Sequence, residues 1–259
     1  HNRYRIYYPK TMGDAVWSMY DYNRGCCDNI CYSGVADIFR LPKFSLSFFR
    51  TQIAEGSMLP SGKMPYEVFI PAYRDEILSD TVMVYGNVDE VELVLNGKTI
   101  RRQTADKGPD SDYIPVPNGG NGKNLHFPPF TFYGVPKERG VLKAVGYHQG
   151  KKVAEYTVKT PGVPERLDIT YFESGKPATK NDLLIVYVRM LDKQGVLCPV
   201  NGIPVELSVQ GGEIVGPTSY PLEAGVASFL VRTGEISKIN INATGKGFST
   251  RKSLKVGKE

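Results

Sequence analysis

From residue 66 onward, apolar positions recur at every second residue, the period of a half-buried strand. Residues 67–70, 80–85 and 90–95 are predicted strands with partial in/out alternation. Asn96-Gly97 follows as a type I′ hairpin turn, since both residues tolerate positive φ, and residues 99–103 are the return strand. Residues 104–127, rich in Gly, Asn, Pro and Asp, read as a loop, and residues 130–132, 141–147 and 152–158 complete about seven strands. Short strands with frequent turn signals and no helix predict a β-sandwich over 66–160. Thr160-Pro161-Gly162-Val163-Pro164 marks a boundary. Beyond it, residues 166–171, 183–191, 205–209, 225–232 and 238–243 are strand candidates, with turns at 192–195, 211–212 and 245–247. A second sandwich is expected over 163–259, long enough to sustain its own core.

Residues 1–60 have a different pattern. Residues 14–22 read as a buried strand finishing in polar and aromatic side chains, and the chain runs through residues 32–37 to a helix expected over 41–53. Pro42 suits a first helical turn, where its missing N–H costs nothing. Phe44, Phe48 and Phe49, with Leu41 and Gln52, share one helical face, an aromatic stripe expected to be core. Strand, loop and helix make one βα unit. A single unit cannot bury both faces of a parallel strand, so about seven companions are missing. The chain is therefore expected to be a piece of a larger enzyme. Residues 56–65 read as a linker by composition.

Composition narrows the function classes. The chain is 41% hydrophobic and 23% charged, ordinary for a globular protein. Its net charge of +5 is scattered, without the basic block expected of a nucleic-acid partner. No run of about 18 apolar residues predicts a membrane span. His1-Asn2-Arg3-Tyr4 opens no signal peptide, so an export signal would lie upstream. Of the four cysteines, Cys26, Cys27 and Cys31 crowd one loop and Cys198 is distant; they give no disulfide framework, and their chemistry stays open between loop thiols and a local redox role. No second Cys pair or nearby His completes a zinc set. Asp106, Asp110 and Asp112 lack the closing Glu of a calcium loop, and no metal or cofactor is expected.

Several stretches carry a family resemblance. Residues 16–22, Val-Trp-Ser-Met-Tyr-Asp-Tyr, and residues 33–43, Ser-Gly-Val-Ala-Asp-Ile-Phe-Arg-Leu-Pro-Lys, resemble the end of the catalytic barrel in glycoside hydrolase family 2, especially bacterial enzymes of the β-galactosidase type. Residues 87–98, 128–132 and 140–147 resemble the immunoglobulin-like domain that follows that barrel, and residues 163–259 a further bacterial Ig-like module. The resemblance implies a mainly β chain: a terminal βα remnant of a TIM barrel over 1–60, then two Ig-like β-sandwich domains.

It also implies where chemistry belongs. A retaining glycosidase of this family uses two glutamates at the ends of the fourth and seventh barrel strands. No glutamate precedes Glu55, so both are expected upstream and the chain alone is expected to be inactive. What remains is one wall of the pocket. Trp17 matches the position where the family sets an aromatic residue against the sugar. A flat indole packs on the C–H face of a pyranose and offers one N–H, although a Trp there could also be structural. Asp21 could bond a sugar hydroxyl or tie down the loop at Arg24; Tyr20, Tyr22 and Asn23 are weaker candidates. The expected partners are a carbohydrate substrate and the upstream barrel, in a bacterial periplasmic or secreted protein. The alternative is a stand-alone Ig-like carbohydrate-binding or adhesion module.

Overall fold

The computed structural model describes residues 15–25, 29–72, 80–106, 125–172 and 176–257, nearly all of them strand, turn and loop. The chain divides into two compact units, His1–Thr160 and Pro161–Glu259. In the first, helix α1 (Phe44–Arg50) precedes a small hairpin, β1 (Met58–Leu59) and β2 (Gly62–Lys63). Then come β3 (Val68–Phe69), β4 (Val82–Gly86), β5 (Glu90–Leu95), β6 (Lys98–Thr104), β7 (Phe130–Phe132), β8 (Val141–His148) and β9 (Lys151–Lys159).

These seven strands form two antiparallel sheets, ordered β3-β4-β7 and β6-β5-β8-β9. Alternation sets the core: Val82 and Val84 of β4, with Val91, Leu93 and Leu95 of β5, point inward, joined by Phe130, Phe132, Leu142 and Ala144. Phe130 and Phe132 are fully buried, so truncating either to Ala is expected to cost about 3–5 kcal/mol. Asn96 and Gly97 take positive φ, as a type I′ turn requires. The Asn96 side chain then reaches the neighbouring turn: Nδ2 donates to the Arg139 carbonyl at 3.0 Å, and Oδ1 accepts the Val141 N–H at 2.8 Å. Gly140 between them has φ of 136°, and a Cβ there would lie 1.9 Å from Asn96 Oδ1.

The second unit contains β10 (Arg166–Tyr171), β11 (Leu183–Leu191), β12 (Pro204–Gln210), β13 (Gly212–Ile214), β14 (Ser219–Pro221), β15 (Val226–Thr233), β16 (Lys238–Gly245) and β17 (Phe248–Lys255). Its sheets run β10-β11-β15-β13 and β14-β12-β16-β17, enclosing Val186, Val188, Met190, Phe229, Val231, Ile239 and Ile241. Asp192, 2% exposed, ties its start together: the carboxylate accepts the N–H groups of Gly162 at 2.7 Å and Val196 at 2.8 Å.

Several sequence expectations need correction. The helix expected over 41–53 is the seven-residue α1; Pro42 lies outside it, in an isolated bridge to Ala36, and Lys43 is the N-cap. Its aromatic stripe is half-buried and lies on the outer face of the sheet that follows, rather than on the strand that precedes it. Phe44 meets Phe69 edge-on with ring centroids 5.7 Å apart, and Phe48 meets Tyr85 at 5.1 Å. Of the expected buried strand 14–22, the described residues 15–22 form no strand, and Val16, Trp17 and Met19 are 55%, 72% and 65% exposed. Its backbone is engaged by isolated bridges, Tyr20 to Ala36 and Tyr22 to Cys31, and by bonds of Ser18 to Ser33 and Val35, and a segment outside any sheet cannot bury two faces. The presumed linker contains β1 and β2, and Met64 beside them is 1% exposed. Strands β13, β14 and β17 are additional to those expected. Asp110, Asp112, Cys26, Cys27 and most of the 104–127 loop lie outside the described residues.

Candidate functional site

The candidate site is built from two arms of one loop, residues 17–24 and 31–36, closed on the head of α1. The arms pair locally. Ala36 N–H donates to Met19 O at 3.0 Å, Asp21 N–H to Ala36 O at 3.0 Å, and Cys31 N–H to Tyr22 O at 2.9 Å. Gly34 sits where they touch. A Cβ there would lie 2.3 Å from Asp21 N and 2.5 Å from Ala36 O, a spacing only glycine permits.

Asp21 lies beneath, 4% exposed. Its Oδ1 accepts the Gly34 N–H at 2.9 Å and Lys43 Nζ at 2.6 Å. Lys43 Nζ also donates to the Tyr32 carbonyl at 3.1 Å, and its own N–H to Val35 O at 3.0 Å. The partner of Asp21 is thus Lys43 rather than Arg24, and the carboxylate fastens both arms to the residue that opens α1. Asp37 serves the next turn, accepting the N–H groups of Phe39 at 2.9 Å and Leu41 at 2.8 Å through Oδ1. The Arg40 guanidinium lies 3.8 Å from the Tyr20 ring centroid, which occupies that face of Tyr20.

The outer surface of the loop is aromatic. Trp17 is 72% and Tyr32 73% exposed. The Trp17 indole Nε1–H donates to Tyr22 Oη at 2.8 Å, and Arg24 Nε donates to the same oxygen at 3.0 Å. Asn23 turns inward on its own loop, where Oδ1 accepts the Gly25 N–H at 2.8 Å. Beside them, the Cys31 thiol lies 3.4 Å from Ser33 Oγ; the Ser33 hydroxyl, with Tyr22, draws its pKa below the usual thiol value. No cluster of metal-ligating side chains occurs among the described residues. The arrangement offers an exposed aromatic platform on a pinned loop, with the buried charge used internally.

The loop and α1 are stapled to the first sandwich. Arg50 forks onto the Glu67 carboxylate, donating through Nε at 3.1 and 3.2 Å and through Nη2, and the pairing raises the guanidinium pKa. Gln52 exchanges two bonds with the backbone of Phe127, at 3.0 and 3.2 Å. Asn87, 3% exposed, donates to the carbonyls of Ile53 and Pro65, both at 3.0 Å, and accepts the Glu67 N–H at 2.6 Å. Gln52 was read from sequence only as part of the helical face, and Lys43, Gly34 and Asn87 only as members of the resembling stretches; none was given its role here. Hydropathy carries no signal for a buried polar staple. The sequence cue was membership of the resembling stretches, 33–43 for Gly34 and Lys43 and 87–98 for Asn87.

The first unit thus presents an exposed aromatic platform on a loop tied through α1 to its own sandwich. Comparison with known proteins places the chain further. It is 30% identical over 129 residues to a β-galactosidase of Rhizobium radiobacter, covering 49% of this chain and 92% of that protein. It is 32% identical over 241 residues to a β-galactosidase of Thermoanaerobacter pseudethanolicus, covering 87% of this chain and 30% of the relative. The chain belongs to glycoside hydrolase family 2. It spans about a third or less of the longer relatives it matches, 30% of the length in the Thermoanaerobacter case. Residues 79–154 match a family model described as a domain of unknown function, DUF4982. The fold agrees: a β-glycosidase from Bacteroides vulgatus superposes with a TM-score of 0.72 at 16% identity, over 93% of this chain and 30% of the other. A glycosyl hydrolase family 2 member from Bacteroides cellulosilyticus gives 0.68 at 18% identity, over 93% and 35%.

Proposed function

We propose that the chain is the C-terminal part of a retaining, β-galactosidase-type glycoside hydrolase that acts on a carbohydrate in the bacterial periplasm or outside the cell. In this reading residues 15–43 form one wall of the sugar pocket, braced by the first sandwich. Trp17 is the sugar-facing platform, since an exposed indole on a pinned loop can pack against the C–H face of a pyranose. Asp21 holds that loop from below. The catalytic carboxyl pair is supplied by barrel residues outside this chain, which has no glutamate before Glu55.

The observation that carries the reading is the 72% exposed Trp17 on a loop whose buried charges are already paired, in a chain whose relatives are β-galactosidases. The test is an assay with aryl β-galactosides on the 259-residue chain and on the longer protein that contains it. Turnover is expected only from the longer protein. Hydrolysis by the chain alone, in material free of host enzyme, would overturn the assignment of the carboxyl pair.

A further inference from the structure

The indole of Trp17 has one hydrogen to donate, and the structure shows where it goes. Nε1–H donates to Tyr22 Oη at 2.8 Å, and the two rings meet edge to face, with centroids 6.1 Å apart at 82°. The same oxygen accepts Arg24 Nε at 3.0 Å, and the guanidinium carbon lies 5.8 Å from the Tyr22 ring centroid. Tyr22 stands on backbone bonded to Cys31 in both directions, at 2.9 and 3.3 Å. Its backbone is therefore held, and its phenol oxygen is met by two side-chain donors. Both lone pairs of that oxygen are used by protein donors.

We infer that Tyr22 is a positioning residue for Trp17, with Arg24 fixing the phenol that it uses. Tyr22 takes the indole hydrogen and leaves Trp17 with its ring face alone to offer a ligand. The site then selects a contiguous C–H surface, such as the side of a pyranose from which the hydroxyls point away. It does not select a hydroxyl acceptor opposite the indole nitrogen. The inference rests on the proposed sugar-facing role of Trp17, but the posture of the ring can be tested apart from it.

Trp17 is the only tryptophan of the chain, so a nitrogen-labelled 259-residue protein gives a single indole N–H resonance. Tyr22→Phe is expected to move that resonance upfield, speed its exchange with water and lower the Trp17 fluorescence anisotropy. The loss of one exposed hydrogen bond corresponds to a fall of about three- to tenfold in the ratio of held to free Trp17 rotamers. The melting of the sandwiches should not move. Arg24→Met should give a smaller change in the same direction. An indole resonance and anisotropy unchanged by Tyr22→Phe overturn the inference.

In the longer enzyme, Tyr22→Phe should lose part of the kcat/KM that Trp17→Ala loses, and should lose nothing more when Trp17 is already Ala. A further loss in that background would mean that Tyr22 itself touches the sugar, which also overturns the inference. A kinetically silent Trp17→Ala would instead sink the sugar-facing reading, while the resonance measurement still decides the role of Tyr22.

Discussion

Lys43 Nζ donates to Asp21 Oδ1 at 2.6 Å, joining a 4% exposed carboxylate in the loop to the residue that caps α1. The two partners are not equivalent. The Asp21 side chain is 3% exposed and that of Lys43 32%, so removing the lysine strands a charge that water barely reaches, whereas removing the carboxylate frees a lysine that can turn outward. Lys43→Met is therefore expected to cost more than Asp21→Asn, by about 1–2 kcal/mol after allowing for the exposure of the lysine. Asparagine still presents an oxygen to the Gly34 N–H. Chemical denaturation followed through Trp17 emission ranks the two variants, and equal losses would contradict the asymmetry.

Trp17→Ala, made in the longer protein, is expected to lower kcat/KM by roughly ten- to a thousandfold with the melting temperature unchanged. At 72% exposure the side chain contributes little to packing here, so a structural loss has no source in these contacts. Binding that tightens as the sugar ring flattens should appear in kcat as well as in KM. Normal kinetics in a destabilised protein would assign Trp17 to the scaffold.

Asn87→Ala should destabilise the first unit by about 2–3 kcal/mol, because it orphans one N–H and weakens the pairing of two carbonyls in a buried setting. Asn87→Asp should be no better, since a carboxylate cannot donate to Ile53 and Pro65. Differential scanning calorimetry separates the outcomes. A change below about 0.5 kcal/mol would mean that water replaces the amide.

Asp192 gives the second unit a pH dependence. Burial alone would raise its pKa, but backbone donors from Gly162, Val196, Gln194 and Gly195 hold it below the usual carboxylate value. A folded-state pKa below the unfolded one means that the contribution is complete above about pH 4 and is lost as pH falls through the folded value. Wild-type protein should exceed Asp192→Asn in melting temperature at neutral pH, and the gap should close on acidification below about pH 4. A gap that widens with acid would reverse the assigned sign.

Alternation made β5 and β10 legible and compact apolar runs made β7 and β11 so: 90–95, 130–132, 166–171 and 183–191 were read with the bounds observed for these strands. Strand β17 was not, because it is a sheet edge whose residues are mostly exposed, three of them basic, Arg251, Lys252 and Lys255. Such an edge keeps its charges in water, and its two-residue period is broken at Lys252. The reverse error arose at residues 16–19, where apolar composition suggested burial but the side chains face solvent. Trp17 and Asp21 were visible through the family resemblance. The roles of Lys43 and Asn87 were not, since their work is done by hydrogen bonds between segments 20–34 residues apart, which neither hydropathy nor spacing encodes.

The placement of α1 on the outer face of β3 and β4 changes where this protein can be cut. Composition marks residues 56–65 as the natural scissile stretch, yet a recombinant sandwich begun at residue 66 would lose Phe44 and Phe48 from above Phe69 and Tyr85. It would also leave Glu67 without Arg50, the Phe127 backbone without Gln52, and the Asn87 amide without the Ile53 and Pro65 carbonyls. Such a product would present a raw aromatic surface and be prone to aggregate. The smallest well-behaved version of the first sandwich starts at Lys43, upstream of the apparent junction, because the splint along its flank belongs in sequence to the segment before it.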